Sequence, residues 1–339
     1  MKRIGKALIL AGVLLFLGIM ISMIGIGYII GDSSHRKDTT GTVQNTVETV
    51  KYETKTYIAD TEDVQKIVLD LTEEDIQIVP AEDEHITVEY IDLADDPQYV
   101  VKSENGLLRV EHRNRGISGK MIIMPPVLTK DSFRFGRTDE QKYRYGDIVV
   151  RVPESYTGGY NLGYTSGSAD VENIRVVGGL EFDLTSGDVK VSNVTCDQSL
   201  RVDMTSGDVQ ISALSIDGDL HIGSTSGDIS LENVEIGGNL NLDATSGGCY
   251  ANQLTVTGTV STDTTSGDIS MEGLTLGTAM NVSGTSGDVY VSLTDEMKEY
   301  KIKADTLSGS CNLPADYSGG AKKISVDTTS GNIDFNFAE

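Results

Sequence analysis

The chain contains no tryptophan, and its 339 residues include only three cysteines, six prolines and four histidines. The histidines are scattered at His35, His85, His112 and His221 and show no spacing that is typical of a metal site. A nucleophilic serine needs a base held within hydrogen-bonding distance, and this sequence offers no such pairing. The sequence therefore predicts no catalytic residue, no metal site and no cofactor.

Positive charge is missing from a long stretch of the chain. No lysine or arginine occurs between Asp203 and Met297, and the formal net charge of the whole chain is −24. Nucleic-acid binding depends on basic groups that neutralise phosphates, so we expect no nucleic-acid partner for this stretch. Two interpretations remain: a soluble surface that repels its own edges, or a surface that collects cations.

What the sequence does have is the tripeptide Thr-Ser-Gly, repeated every twenty residues. Its copies begin at Thr165, Thr185, Thr205, Thr225, Thr245, Thr265 and Thr285, with one more at Thr329. A fixed period of this length is the signature of a solenoid, in which each repeat is one layer. The glycines, which accept a positive φ, are predicted to form a structural turn in each layer: Gly167, Gly187, Gly207, Gly227, Gly247, Gly267 and Gly287.

Residues 180–196 show what one layer contains. Leu180, Phe182 and Leu184 alternate with acidic residues before the turn, and Val189 and Val191 alternate with polar residues after it. Alternation with a period of two predicts strands with one buried face. We therefore predict an all-β fold, a parallel β-helix whose layers of about 20 residues each contain three short strands separated by turns.

The three cysteines occupy aliphatic positions of this repeat, so we predict that they fill the core. Cys196 aligns with Ile216, and Cys249 aligns with Val189. In sequence order Cys249 and Cys311 are three layers apart, about 14 Å, which is too far for a disulfide.

The repeat predicts the domain boundaries. Residues 158–339 are assigned to the solenoid and residues 61–157 to an N-terminal cap. Within the cap, residues 67–78 match the pattern of 180–191 with Thr-Glu-Glu-Asp at the turn, which predicts a degenerate first layer. Terminal layers of solenoids are commonly atypical because they cover the open core.

The N-terminus carries a candidate membrane anchor. Residues 7–30 are uncharged and long enough to span a bilayer as a helix, and Lys2, Arg3 and Lys6 precede them. The positive-inside tendency predicts a single-pass protein with residues 1–6 in the cytoplasm and the C-terminal domain outside it. Residues 31–60 are predicted to form a flexible stalk. The alternative is a cleaved signal peptide, whose apolar region is usually shorter.

Three segments carry a resemblance to a known family: Leu69–Pro80, Val150–Pro153 and the later Thr-Ser-Gly-Asp layers. From about Tyr52 to the C-terminus the chain resembles a bacterial β-strand-repeat family of adhesin-type proteins of unknown function. The resemblance implies a parallel β-helix and placement at the membrane or cell surface. Similar members with one N-terminal anchor are encoded near Lia-type envelope-stress genes. The family has no shared catalytic residues to carry over.

An acidic column follows the turns. The residue after Thr-Ser-Gly is aspartate in five layers, and Asp183, Asp203, Asp243 and Asp263 form a second outward row. Aspartate is favoured in turns because it bonds to nearby backbone groups. Calcium, which takes oxygen ligands, is the alternative explanation for the first column. Its ligands would be Asp188, Asp208, Asp228, Asp268 and Asp288.

Residues 113–151 are the basic, aromatic-rich part of the chain beyond the anchor. The predicted binding residues are Arg113, Arg115, Lys130, Phe133, Arg134, Phe135, Arg137, Lys142, Tyr143, Arg144 and Tyr145. The candidate ligands are anionic envelope polymers, anionic lipid or another membrane protein. The alternative is an insertion or edge hairpin that pairs with the protein's own acidic face.

Together these features predict a membrane-anchored protein of the bacterial cell envelope with a non-catalytic binding, scaffolding or adhesin-like role. One alternative is a polysaccharide-active β-helix enzyme, which would need carboxylates clustered with lysine or arginine in a groove. Another is an accessory sensor of envelope stress that binds a second membrane protein.

Overall fold

Each twenty-residue repeat forms one layer that contributes a strand to each of two long, mainly parallel sheets. This computed structural model describes residues 52–113 and 147–339. In the layer that begins at Leu180, the side chains of Leu180, Phe182 and Leu184 are buried and those of Glu181 and Asp183 are exposed. The predicted all-β parallel solenoid is therefore confirmed.

Seven strands precede the regular repeats. They are β1 Tyr52–Asp60, β2 Lys66–Leu71, β3 Asp75–Pro80, β4 His85–Leu93, β5 Tyr99–Glu104, β6 Leu107–His112 and β7 Asp147–Val152. A single 3₁₀ turn, Thr61–Asp63, follows β1. Residues 114–146, between β6 and β7, and residues 1–51 lie outside the described part of the chain.

The regular repeats run from β8 to β22. Their strands are β8 Gly159–Tyr164, β9 Ala169–Glu172, β10 Arg175–Val176, β11 Leu180–Ser186, β12 Val189–Cys196, β13 Leu200–Ser206, β14 Val209–Ile216, β15 Leu220–Ser226, β16 Ile229–Ile236, β17 Leu240–Ser246, β18 Cys249–Val256, β19 Thr259–Ser266, β20 Ile269–Leu276, β21 Ala279–Ser286 and β22 Val289–Leu293. After a 3₁₀ turn at Met297–Glu299, the last strands are β23 Tyr300–Ser308, β24 Asp316–Ser318, β25 Lys322–Ser330 and β26 Ile333–Asn336.

In both sheets, residues at the same position of the repeat pair with one another from layer to layer. Sheet 1 has the order β1-β4-β7-β3-β9-β12-β14-β16-β18-β20-β22-β26, with β10 also beside β12. Sheet 2 has the order β24-β23-β25-β21-β19-β17-β15-β13-β11-β8-β2-β6-β5. Leu180 pairs with Leu200, Leu200 with Leu220, and Leu220 with Leu240. The apolar side chains of one layer therefore pack on those of the next, between the two sheets.

From β11 to β20 each layer has two strands rather than the three short strands that we predicted; the layer with β8, β9 and β10 does have three. The second strand bends at a residue with positive φ, for example Asn193 at 52° and Asn233 at 54°. The inward positions shift by one at this bend, so that Val191 and Val194 are both buried. In the layers from β11 to β20 the pairing with the neighbouring layer resumes directly after the bend, so the second strand is not divided.

The order of layers differs from the order of the sequence at both ends. Residues 67–78 do form a layer, from β2 and β3, but it is not the first, because β6 and β7 pair beyond it. At the other end β25 lies between β21 and β23. The spacing predicted for Cys311 is therefore wrong: its bridge to Ile333 places it four layers from Cys249. All three cysteines are free.

Antiparallel strands cover the ends of the stack. β1 pairs with β4 and β4 with β7 in sheet 1, while β5 pairs with β6 and β24 with β23 in sheet 2. Residues 52–60, the last part of the predicted stalk, thus form β1 in the sheet. The predicted cytoplasmic tail and anchor lie outside the described residues. Between residues 52 and 339, leaving out 114–146, no helix has the length and apolar character needed to cross a membrane.

Candidate functional site

In five layers the corner is built by an aspartate that accepts a backbone amide hydrogen from the next layer. The backbone N–H of Asp208 donates to Oδ1 of Asp188 at 2.9 Å, and the N–H of Asp228 donates to Oδ1 of Asp208 at 2.8 Å. Asp288 donates in the same way to Asp268 at 2.8 Å. These carboxylates therefore act as acceptors for backbone amides, as expected for turn chemistry.

Bonds of the same kind occur in both end regions, at corners where serine or asparagine replaces the aspartate after Thr-Ser-Gly. Ser168 N–H donates to Oδ1 of Asp75 at 2.9 Å, and Asn332 N–H donates to Oδ1 of Asp288 at 2.7 Å. Asn332 in turn accepts from the N–H of Ser310 at 3.0 Å. The ladder thus crosses the point where the layer order departs from the sequence order.

The glycine of each corner is required both by its conformation and by its neighbours. All seven predicted turn glycines have positive φ, from 110° at Gly187 to 150° at Gly267. A Cβ at Gly207 would lie 2.2 Å from the carbonyl oxygen of Gly187, one layer away. No side chain fits there without moving the backbone, so glycine sets the close stacking of the corners.

The second acidic row lies on the outer face of sheet 2. Asp183 pairs directly with Asp203, and Asp243 pairs with Asp263. Beside this row a shallow groove of about 570 Å³ runs along the stack. The groove forms because the inward residue just before the corner is large in one layer, Met204, and small in the next two, Ser224 and Ala244. Its lining includes Asp203, Asp243, Asp263, Ser224, Ala244, Thr225, Thr245 and Thr265.

Neither acidic row has the arrangement of a metal centre. Across residues 52–113 and 147–339, no three or more His, Cys, Asp or Glu side chains come together as a candidate metal site. The Oδ1 atoms of the corner column already accept amide hydrogens, which leaves the calcium interpretation without geometric support.

The basic segment begins and ends at one corner of the stack. β6 belongs to sheet 2 and β7 to sheet 1, so residues 114–146 join the two sheets where other layers have Thr-Ser-Gly. Of the predicted binding residues, the structure describes only Arg113, whose N–H donates to the carbonyl of Gln98 at 2.7 Å. The other ten, from Arg115 to Tyr145, lie outside the described residues.

A buried carboxylate lies next to this junction. Glu74 accepts hydrogen bonds from the N–H groups of Thr72 and Glu73 at 2.7 and 2.9 Å, from the Tyr99 hydroxyl at 2.9 Å, and from Nε2 of His112. Burial would raise the pKa of Glu74, but the hydrogen bonds from His112, Thr72 and Glu73 and the charge of His112 lower it to about 2. The bond to Glu74 raises the pKa of His112 against the opposing effect of burial.

Sequence reasoning missed this cluster because Glu74 occupies the glycine position of the corner motif. Glu74 is absent from the residues with positive φ, and its side chain is only 4% exposed. The pattern of residues 67–78 predicts a turn here, but not a carboxylate that points inward. The single available signal is the glutamate itself, at a position where the eight Thr-Ser-Gly copies have glycine.

A cavity of about 790 Å³ at the N-terminal end of the described residues is lined by residues that include a serine, a histidine and an aspartate. Nδ1 of His85 is 3.1 Å from Oδ1 of Asp60. The Ser155 hydroxyl donates to Oε2 of Glu84 at 3.0 Å, not to the histidine. Without a bond between Ser155 and His85, the three residues do not form a nucleophile and base pair.

Comparison with known proteins gives a family and two similar structures. The sequence profile of Toastrack DUF4097 matches residues 64–336. A crystal structure of a candidate cell adhesion protein from Clostridium sporogenes has 12% identity and a TM-score of 0.25, covering 85% of this chain and 100% of that one. A candidate adhesin from Bacteroides fragilis has 14% identity and a TM-score of 0.31, covering 84% and 97%. No curated protein matches.

Proposed function

The chain belongs to the Toastrack DUF4097 family, and on that premise we propose that it is a non-catalytic, adhesin-like binding or scaffolding protein of the bacterial cell envelope. Residues 7–30 anchor it in the cell membrane with the N-terminus in the cytoplasm and the solenoid outside. It works by presenting a rigid, repeated surface to a partner rather than by chemistry at one layer.

The observation that carries this proposal is the corner ladder. A catalytic carboxylate has to be available to the substrate, whereas Asp188, Asp208 and Asp228 each accept an amide hydrogen from the next layer. The ladder ties neighbouring layers together, and each layer packs its apolar side chains on the next. Such a stack is suited to hold a surface in a fixed register over many layers.

The anchor is supported by the sequence. Residues 7–30 carry no charge, and three basic residues precede them. A helix of 24 residues would be about 36 Å long, enough for a hydrocarbon core of about 30 Å. An extracytoplasmic position also suits a surface with a net charge of −24, which favours solubility.

The basic segment is our candidate for a contact with anionic envelope polymer, anionic lipid or a second membrane protein. It is joined to the N-terminal layers of the stack through β6 and β7. We expect the triple substitution of Arg134, Arg137 and Arg144 by glutamate to abolish pull-down on anionic envelope polymer. Unchanged binding would remove this part of the proposal.

Localisation tests the main proposal directly. We expect the full-length chain with a C-terminal tag to sediment with membranes. We also expect the tag to be digested when protease is added to cells whose wall has been removed and whose membrane is intact. Deletion of residues 7–30 should leave the chain in the cytosol. A full-length chain found in the cytosolic fraction would contradict the proposal. A chain released into the medium would point to a cleaved signal peptide instead.

A further inference from the structure

One layer departs from the corner motif in a way that exposes an aromatic ring. Its corner is Thr-Ser-Gly-Gly, with Gly248 where five layers have aspartate. A Cβ at Gly248 would lie 2.3 Å from Cζ of Tyr250, so the ring extends over this glycine. Tyr250 is 40% exposed, one of the few large apolar side chains at the surface of the described residues. The loss of the corner aspartate therefore makes room for a ring that lies along the surface.

A second tyrosine stands in the same outward column. Tyr250 pairs with Ser270, and Ser270 pairs with Tyr290, so the two tyrosines are two layers apart with a small residue between them. At the spacing of parallel strands this separation is about 9.6 Å along the stack. Tyr250 is exposed and Tyr290 is half-buried, and we call this pair on the outer face of sheet 1 the tyrosine strip.

Polar side chains run beside the strip at the distance of two residues along each strand. Glu232, Asn252 and Glu272 are exposed and stack in register in three successive layers. A depression of about 430 Å³ separates them from Tyr250 and has the small Ala251 among its lining residues. The face therefore offers an aromatic surface on one side and hydrogen-bonding groups on the other, with space between them.

The charge of this face limits what it can bind. No lysine or arginine occurs between Asp203 and Met297, and the flanking column contains two glutamates. A polyanion such as a phosphate-rich polymer would be repelled here. An uncharged or amino-bearing chain with many hydroxyl groups would instead find acceptors in Glu232 and Glu272 and a donor in Asn252.

We propose that the tyrosine strip with Glu232, Asn252 and Glu272 binds an extended β-1,4-linked glycan that lies along the stack. In such a chain every second sugar presents the same face. Two strand spacings are about 9.6 Å, and one disaccharide of the chain is close to that length. Tyr250 and Tyr290 stack on alternate sugars through their apolar ring faces. This inference rests on the proposed function, since it names the class of ligand that an envelope-placed solenoid would hold.

The test uses the purified full-length chain in a detergent without sugar headgroups, titrated with a β-1,4-linked hexamer of N-acetylglucosamine by calorimetry. We expect binding by the wild type, and a loss of affinity of at least about tenfold for Tyr250→Ala and for Tyr290→Ala. Gln210→Ala is the matched control because Gln210 lies in the same outward column without a ring. Its affinity should equal that of the wild type.

A ring-moving variant tests the spacing itself. Ser270→Tyr combined with Tyr290→Ser keeps two tyrosines but brings them to adjacent layers, about 4.8 Å apart. It should bind as weakly as the single alanine variants. Tyr250→Phe and Tyr290→Phe keep the rings and should retain affinity, which guards against a loss caused by misfolding.

Three results would overturn the inference: no binding by the wild type, wild-type affinity in the alanine or ring-moving variants, or equal binding of a β-1,3-linked hexamer. None of them affects the proposed function if the chain is still found in the membrane with its solenoid outside. If the chain is found in the cytosol but binds the hexamer through the strip, the binding site is supported and the proposed function is contradicted.

Discussion

The backbone N–H of Asp228 donates to the side-chain Oδ1 of Asp208 at 2.8 Å, across twenty residues of sequence and one strand spacing. Two exposed carboxylates at about 4.8 Å repel by about 0.9 kcal/mol in water. A hydrogen bond to a charged acceptor contributes about 1.5–3 kcal/mol. The bond therefore outweighs the repulsion between stacked aspartates.

Removal of one ladder acceptor should loosen the next layer. We expect Asp208→Ala to destabilise the stack by about 1–2 kcal/mol and to speed hydrogen exchange at the Asp228 amide, because that amide loses its acceptor. Asp208→Asn keeps an oxygen acceptor and should exchange like the wild type. Asp183→Ala, which removes an outward carboxylate of sheet 2, serves as the control. Equal exchange in Asp208→Ala and the wild type would contradict the role of the ladder.

Calcium should leave the melting temperature unchanged, because the corner carboxylates already accept amide hydrogens. Thermal unfolding of the full chain with and without calcium checks this expectation. A rise of many degrees at micromolar calcium, lost in Asp208→Asn and Asp228→Asn, would show that the column binds the ion.

Glycine at the corner should be far less replaceable than glycine in a strand. Gly207 has φ of 119°, and an added Cβ would lie 2.2 Å from a backbone oxygen. We expect Gly207→Ala to cost more than about 2 kcal/mol, from both strain and overlap. At Gly163 the nearest atom to an added Cβ is 3.7 Å away, so Gly163→Ala should be almost neutral. Unfolding in urea compares the two, and equal losses would refute the steric explanation.

The pair of Glu74 and His112 should make the N-terminal layers sensitive to pH. The pKa of Glu74 is lowered from 4.5 to about 2, so its contribution is present above pH 4.5 and is lost as the pH falls toward 2. The pKa of His112 is raised from 6.5, so its contribution is complete below pH 6.5 and is lost as the pH rises through the raised value. These layers should therefore be most stable between pH 4.5 and 6.5.

Glu74→Gln should remove this dependence and destabilise the N-terminal layers by on the order of 2 kcal/mol, because the buried carboxylate opposite His112 loses its charge. Hydrogen exchange of β2 and β6 across the pH range measures the effect. His85→Asn is the control, since His85 forms an exposed pair with Asp60. A pH profile that is the same in Glu74→Gln and the wild type would rule out the pair as its cause.

The cysteines should differ in reactivity. Burial raises the pKa of Cys196 to about 11 and that of Cys249 to about 12, so few thiolates form at neutral pH. Cys311 is only partly buried. We expect a thiol reagent at pH 8 to modify Cys311 first, and the other two only after denaturation. Rapid modification of Cys249 in the folded chain would contradict its place in the core.

The regular layers could be read from the sequence because each is determined by its own residues. Alternation assigns Leu180, Phe182 and Leu184 to the core, and the Thr-Ser-Gly period sets which residues stack. The burial of Cys196 and Cys249 follows from the same alignment. These inferences hold because neighbouring layers are equivalent, so one register applies to all of them.

The candidate site was less accessible from the sequence. The pairing of Tyr250 with Tyr290 through Ser270 follows from the register, but the placement of the Tyr250 ring over Gly248 depends on side-chain packing. Alternation did not indicate that Glu74 is buried, and the one signal was a glutamate at the glycine position of the corner. Its partners, Tyr99 and His112, come from strands that are distant in the sequence and meet only in the folded cap.

The sequence by itself determined the solenoid, its period, its buried faces and its glycine corners, because these depend on contacts between equivalent positions of adjacent repeats. The tertiary structure alone decided the order of the end layers, with β6 and β7 beyond β2 and β3, and with β25 between β21 and β23. A terminal layer has no partner on one side, so its place is chosen by which strand best covers the open core. That competition involves the whole chain, and no local pattern records its outcome.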